Sequence, residues 1–178
     1  MNKKQKGFSL IELLIVVAII LIIAAIAIPN LLRSRMAANE ASAVGSVRTM
    51  TTAAISFSST YGDGFPADIT SIGTTGANPL GCKNAELIDS VLTAGVKSGY
   101  NFKIAPGTAA VPNPPATCTP GFTDGFGAVA YPVTVGTTGQ RSFCSDASGV
   151  IRYDPAGADP SATVAAGLCS TTLQPLGN

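Results

Sequence analysis

Four cysteines are the residues with the most restricted chemistry in this chain of 178 residues. Cys82, Cys118, Cys144 and Cys169 are widely spaced and form no Cys-x-x-Cys motif. The chain contains no His, so it lacks the commonest general base and the commonest metal ligand. An even number of cysteines without such partners predicts two disulfides. Of the three possible connectivities we favour Cys144 with Cys169, which would staple the C-terminal tail to a strand, and Cys82 with Cys118.

Aspartates in the second half of the chain suggest cation binding as the other possible chemistry. Asp124, Asp146, Asp154 and Asp159 lie near glycines, but their spacing matches no EF-hand pattern. In such stretches the carboxylate more often accepts hydrogen bonds from the backbone of a turn. Ser and Thr are abundant, yet no general base stands beside them. We therefore expect no metal, no cofactor and no catalytic residue, and the chain is predicted not to be an enzyme.

An acidic residue, Glu12, lies in a stretch from Phe8 to Ile28 that is otherwise apolar except for Ser9. A helix of this length, at about 1.5 Å per residue, spans roughly the 30 Å hydrocarbon core of a bilayer. The whole chain is apolar as well, with 12% charged residues and a mean hydropathy of +0.37. An ionisable residue within a span costs on the order of 2.5 to 3.5 kcal/mol, which indicates a function for Glu12. The alternative is a carboxylate near the membrane edge that reaches the headgroups.

Three lysines, Lys3, Lys4 and Lys6, precede the apolar stretch. By the positive-inside rule they keep the N-terminus in the cytoplasm and place everything after Ile28 across the membrane. A cleaved secretory signal is the alternative, but its apolar region is shorter, about 7 to 15 residues, and is followed by a small-x-small cleavage site. Here the pattern continues through Pro29. A proline inside a helix removes one backbone hydrogen bond, which predicts a kink at residue 29.

Beyond Pro29 the apolar residues recur every seven positions as far as Tyr61, which predicts a helix with one packing face. One row comprises Met36, Ala43, Met50 and Phe57, and the other Val47, Ala54 and Tyr61. We expect the C-terminal half of this helix to pack on the globular domain of the same chain.

Residues 62–178 are rich in Gly, Pro, Ser and Thr, which indicates a separate head with many turns. A helix is predicted over residues 84–93, with Asn84 as its N-cap. Four strands are predicted over residues 100–105, 129–135, 141–145 and 150–154, the last two joined by a turn at residues 146–149. The fold class is therefore α+β, with a long N-terminal helix and a small antiparallel sheet of three or four strands stapled by disulfides.

The sequence Gly-Phe-Ser-Leu-Ile-Glu at residues 7–12, after a Lys-rich leader and before the apolar run, resembles the class III signal of type IV pilins and pseudopilins. The resemblance implies a leader peptide at residues 1–7, cleaved between Gly7 and Phe8 by a prepilin peptidase, and N-methylation of Phe8. It also implies that Glu12 faces the Phe8 amine of a neighbouring subunit. Residues 8–28 would cross the membrane and later form the filament core, within a helix of residues 8–61.

The function that this resemblance implies is that of the major structural subunit of a type IV pilus, a helical homopolymer on the cell surface. The alternatives are the major-type pseudopilin of a type II secretion system, which makes a short periplasmic filament, and a minor pilin. Implied partners are prepilin peptidase and the inner-membrane assembly machinery, and the precursor would be a single-pass inner-membrane protein. Loss of three leader lysines leaves 8 basic against 10 acidic residues, a net −2, so no specific nucleic-acid partner is expected.

Overall fold

The computed structural model describes residues 8–62, 64–74, 76, 80–111, 118 and 122–177. The predicted leader, residues 1–7 with Gly7, lies outside these described residues. The chain divides into two compact units, Met1–Arg35 and Met36–Asn178.

Helix α1, Leu10–Tyr61, contributes to both units. Its sequence is dominated by Leu, Ile and Ala, and one glycine, Gly45, lies between its ends. The helix ends where Gly62 adopts a left-handed conformation, φ +79°, and donates its backbone N–H to the carbonyl of Ser58 at 2.9 Å. Glycine adopts this conformation without a steric penalty, so it is the expected residue directly after the helix.

In the second unit, the predicted apolar face of α1 is buried in the main hydrophobic core, which confirms the expected packing on the head. Ala43, Val47, Met50, Ala54 and Phe57 are at most 1% exposed. The other two members of the predicted rows, Met36 and Tyr61, are partly exposed at the two ends of the face. The ring of Phe57 meets that of Phe122 edge-on, with centroids 5.4 Å apart, so one of the deepest side chains of α1 lies against the head.

An antiparallel sheet of six strands in sequential order completes the second unit, and the predicted α+β class is confirmed. Each strand pairs with the next along the chain. The strands are β1 Val96–Lys97, β2 Tyr100–Pro106, β3 Phe126–Pro132, β4 Ser142–Ser145, β5 Ile151–Asp154 and β6 Gln174–Pro175. The four longer strands correspond to the four predicted ones. β1 and β6 have two residues each, too few to show an alternating pattern in the sequence.

Strand β3 begins and ends three residues earlier than predicted. Its bounds are set by pairing with β2 and not by the apolar residues of its own sequence. Phe126 pairs with Pro106 and Pro132 with Tyr100. Val133 and Val135, which were expected in this strand, are 52% and 46% exposed in the connection to β4.

The helix predicted over residues 84–93 is wrong for its first half. Helix α3 is Ser90–Thr93, and Asp89 rather than Asn84 caps it by accepting the Leu92 N–H at 3.0 Å. Asn84 instead forms an isolated β-bridge with Gly81. The backbone between Asn84 and Asp89 forms hydrogen bonds with another segment. The Leu87 N–H donates to the carbonyl of Ile72 in helix α2, Ile69–Ile72. Tertiary hydrogen bonds therefore override the helical pattern.

Candidate functional site

The N-terminal end of α1 carries the residues with the strongest predicted role. Ser9 precedes the helix, and its backbone N–H donates to Oε2 of Glu12 at 2.9 Å. The Ser9 carbonyl in turn accepts the N–H of Leu13 at 3.2 Å. This is the carboxylate half of a capping box, in which an acid in the first turn satisfies a backbone donor before the helix. Phe8 is 80% exposed, so the aromatic side chain next to the predicted cleavage point is open to a partner or an enzyme.

The apolar surface of α1 in the first unit is exposed around the whole helix. An 18-residue window within α1 has a mean hydropathy of 3.3 with none of it buried, so the helix is long and apolar enough to cross a membrane. Leu10, Leu21 and Ile26 are examples, exposed by 79%, 63% and 73%. A helix that is apolar on all sides is normally surrounded by lipid or by other helices.

Pro29 lies inside α1 and the helix is continuous through it. Proline has no N–H, so the carbonyl of Ala25 loses its usual partner at this point. The predicted kink stays a prediction.

An ion pair that the sequence analysis missed joins α1 to the connection between β3 and β4. Glu40 is 9% exposed, and its Oε2 accepts from Nη2 and Nε of Arg141 at 2.7 and 2.9 Å. Its Oε1 accepts the backbone N–H groups of Gln140 and Arg141 at 2.9 and 3.2 Å. Burial alone would raise the pKa of Glu40, but these hydrogen bonds and the Arg141 charge outweigh it and hold the pKa below its ordinary value.

The Arg141 side of this ion pair is held by aromatic rings. Its guanidinium lies over the rings of Tyr153 and Phe143, 5.3 and 5.7 Å from their centroids. The Tyr100 hydroxyl donates to the Arg141 carbonyl at 2.8 Å. The signal available in the sequence was Glu40 itself, a charged residue four positions after Met36 on the apolar face, because a buried carboxylate requires a partner.

Two disulfides tie together segments of the head. Cys82 pairs with Cys118, and Cys144 of β4 pairs with Cys169, with sequence separations of 36 and 25. Asp146 supports the second pair, because its Oδ2 accepts the Cys169 N–H at 3.0 Å. The C-terminal segment is therefore attached to the sheet by both a covalent and a hydrogen bond.

The four aspartates considered for cation binding accept backbone hydrogen bonds. Asp124 accepts from Ala109 at 3.2 Å, Asp154 from Ala156 at 2.9 Å, and Asp159 from Ser161 at 2.9 Å. Asp146 accepts from Ser148 at 2.9 Å, besides its bond to Cys169. No group of three or more potential ligands is close enough to hold a metal ion among the residues described.

The family described as "Prokaryotic N-terminal methylation motif" matches residues 2–28, the region that contains Phe8 and Glu12. No solved structure matches the chain.

Three curated relatives are type IV pilus proteins. The type IV wide pilus major component of Thermus thermophilus is 63% identical over 38 residues, 21% of this chain and 29% of the relative. The type IV major pilin protein of Myxococcus xanthus is 47% identical over 56 residues, 32% and 26% of the two chains. A type IV major fimbrial protein of Dichelobacter nodosus is 41% identical over 101 residues, 55% and 56% of the two chains. This chain spans about a quarter to about half the length of these relatives.

The methylation motif coincides with the capped, exposed apolar end of α1, and the relatives are named as pilus components. The second unit contains an antiparallel sheet and two disulfides. The motif and the named relatives together support the predicted resemblance of this chain to the type IV pilin superfamily.

Proposed function

We propose that this chain is the major structural subunit of a type IV pilus and polymerises through α1 into a helical surface filament. The observation that carries the proposal is the apolar surface of residues 10–32, exposed on all sides of a helix that begins at a methylation motif. A surface of this kind is stable in lipid or among other helices and unstable in water. A precursor in the membrane and a filament of many copies provide these two environments in turn.

The N-terminus is processed first. Prepilin peptidase cuts between Gly7 and Phe8, removes residues 1–7, and the new amine of Phe8 is methylated. Three domains follow from this division: the leader at residues 1–7, the helix at residues 8–61 with its core-forming part at residues 8–28, and the head at residues 62–178. Glu12 and the Phe8 amine then lie at the same end of the mature helix.

Assembly gains little from leaving lipid, because lipid tails are as apolar as the helix surface. The driving force is helix packing together with polar contacts between helices. In the filament Glu12 pairs with the Phe8 amine of a neighbouring subunit, where low dielectric strengthens the attraction and penalises an unpaired carboxylate. The intrachain bond uses Oε2, and Oε1 of Glu12 accepts no hydrogen bond in the described part of the chain. Non-closing contacts between identical subunits then extend the fibre.

The location follows from the same steps. The precursor is a single-pass inner-membrane protein with a cytoplasmic N-terminus, where it meets prepilin peptidase and the pilus assembly machinery. The mature protein is an extracellular filament at the cell surface. The role of a major subunit is supported by the relatives, which are named as major components of type IV pili.

Electron microscopy of filaments sheared from cells that make this chain, combined with mass spectrometry of its N-terminus, tests the proposal. We expect long surface fibres composed mainly of this chain, beginning at a methylated Phe8. Short filaments confined to the periplasm would identify a pseudopilin instead, and a trace amount within fibres of another subunit would identify a minor pilin. A mature chain that retains residues 1–7 would refute the proposal.

A further inference from the structure

Arg48 lies at the edge of a groove between α1 and the turn that joins β4 to β5. The groove has a volume of about 280 Å³ and is also lined by Thr51, Thr52, Ile55, Ser145 and Gly149. Within the described residues Arg48 forms no ion pair, and its guanidinium donates no hydrogen bond. The groove therefore offers five N–H donors of a fixed cation to whatever enters it.

A second donor without a partner belongs to Ser145, a residue that lines the same groove. The Ser145 hydroxyl is shielded from water, and no hydrogen-bond acceptor contacts it in the part of the chain that the structure describes. The acid next in sequence, Asp146, does not serve either donor, because its oxygens accept from Ser148 and Cys169. A guanidinium and a hydroxyl that both lack acceptors are chemically matched to a carboxylate, which accepts several hydrogen bonds at once.

We propose that this groove receives an acidic side chain from the head of a second copy of this chain. The inference rests on the proposed function, because a filament keeps the heads of neighbouring copies at high effective concentration. The head supplies the complementary charge. Glu86, Asp124 and Asp154 form no ion pair among the described residues, and the first two are exposed. Arg48 binds the carboxylate, and the buried Ser145 hydroxyl turns toward the groove to donate a further hydrogen bond to it.

Zero-length cross-linking of assembled filaments tests the contact directly. Arg48→Lys places a primary amine at the groove, and a carbodiimide joins an amine to a carboxyl group in direct contact. The carboxyl carbon forms an amide with the amine, and the carbodiimide takes up the elements of water as a urea. We expect a dimer on a denaturing gel whose mass spectrum joins position 48 to an acidic residue of another copy. Wild-type filaments treated identically report the background from native lysines such as Lys83 and Lys97.

Ser142 and Ser145 of β4 provide a test variant and a matched control. Ser142 and Ser145 are both fully buried with a hydroxyl that lacks a partner in the described structure, and they lie on opposite faces of the strand. Ser145→Ala should lower the cross-linking yield in the Arg48→Lys background, and Ser142→Ala should not. Arg48→Glu should raise the concentration of subunit released from filaments about tenfold, as expected for the loss of a charge-assisted hydrogen bond.

The outcomes separate this inference from the proposed function. If the wild-type chain forms no filaments, the proposed function fails. If filaments form but position 48 cross-links to no acid of another copy, the groove is not a subunit contact and the inference is overturned. Equal effects of Ser142→Ala and Ser145→Ala would also overturn the part assigned to Ser145. If inorganic phosphate, and not an acidic residue of a neighbouring head, suppresses the release of subunits, the groove is a site for free anions. The second copy is then refuted as its occupant.

Discussion

Glu40→Ala is expected to destabilise the second unit. It removes the acceptor of four hydrogen bonds, two from the Arg141 side chain and two from the backbone N–H groups of Gln140 and Arg141. The guanidinium loses its counter-charge but keeps its position over the rings of Phe143 and Tyr153. The connection between β3 and β4 would thereby lose its main attachment to α1.

The burial of the two partners sets the magnitude. The Glu40 side chain is 12% exposed, whereas that of Arg141 is 39% exposed. Breaking a fully buried pair costs about 3 to 5 kcal/mol, and an exposed pair is worth about 0.2 to 1 kcal/mol. Because solvent screens the arginine, we expect a loss of about 2 kcal/mol in the free energy of unfolding. For a unit of this size, that corresponds to a decrease of about 4 to 8 °C in Tm.

Thermal unfolding of the full chain in detergent, with its disulfides intact and followed by near-ultraviolet circular dichroism, measures this loss. Glu40→Gln keeps an oxygen for the backbone N–H groups but removes the charge, so it should lose about half as much. Arg48→Ala on the same helix is the matched control and should change the free energy of unfolding by less than about 0.5 kcal/mol. In a double-mutant cycle with Arg141→Ala, a coupling energy near zero would show that the ion pair does not stabilise the fold. A Tm of Glu40→Ala equal to that of the wild type would refute the reasoning altogether.

Further predictions concern pH, the disulfide, the helix and assembly. The folded pKa of Glu40 lies below 4.5, so the contribution of this residue to the free energy of unfolding is present above about pH 4.5 and is lost as the pH falls through the folded value. Measurements of Tm against pH should show the difference between wild type and Glu40→Gln closing in this acidic range. Replacing Cys144 and Cys169 together by Ser should cost about 3 to 4 kcal/mol in urea unfolding, because a loop of 25 residues is released. Gly45→Ala should raise the unfolding free energy by about 0.5 to 1 kcal/mol, since a Cβ there meets no atom within 4 Å; a loss would contradict this. Glu12→Ala should insert in the membrane and be cleaved, as cell fractionation would show, but form no filaments by electron microscopy; wild-type filaments would rule out the assembly role.

The sequence predicted most accurately those features that repeat along the chain. The seven-residue rows in α1 place Val47, Met50 and Phe57 on one face, and the structure buries all three. The four longer strands were predicted because alternation of apolar residues and flanking turn residues are local signals. Registers were not predictable in the same way. The position of β3 depends on its pairing with β2, and that pairing joins residues far apart in the sequence.

The errors arise where contacts distant in sequence replace local hydrogen bonds. Residues 84–88 have the composition of a first helical turn, but Ala85 and Leu87 donate to the carbonyls of Ser71 and Ile72 instead. The Glu40–Arg141 pair was missed for the same reason, since its members are separated by about a hundred positions and no local pattern connects them. Only the position of Glu40 on an apolar face indicated that a partner must exist.

Glu12 and Glu40 show how two carboxylates on one helix can serve different purposes. Both oxygens of Glu40 are satisfied by its own chain, through four hydrogen bonds, so this residue stabilises the folded subunit and is not available to a neighbour. Glu12 accepts from the Ser9 N–H through Oε2, whereas Oε1 has no donor in the described part of the chain. In the proposed filament Oε1 can therefore accept the Phe8 amine of a neighbour while Oε2 keeps the helix capped. Assembly then adds a contact without breaking one, and the free energy of the new pair is not reduced by the loss of an intrachain hydrogen bond.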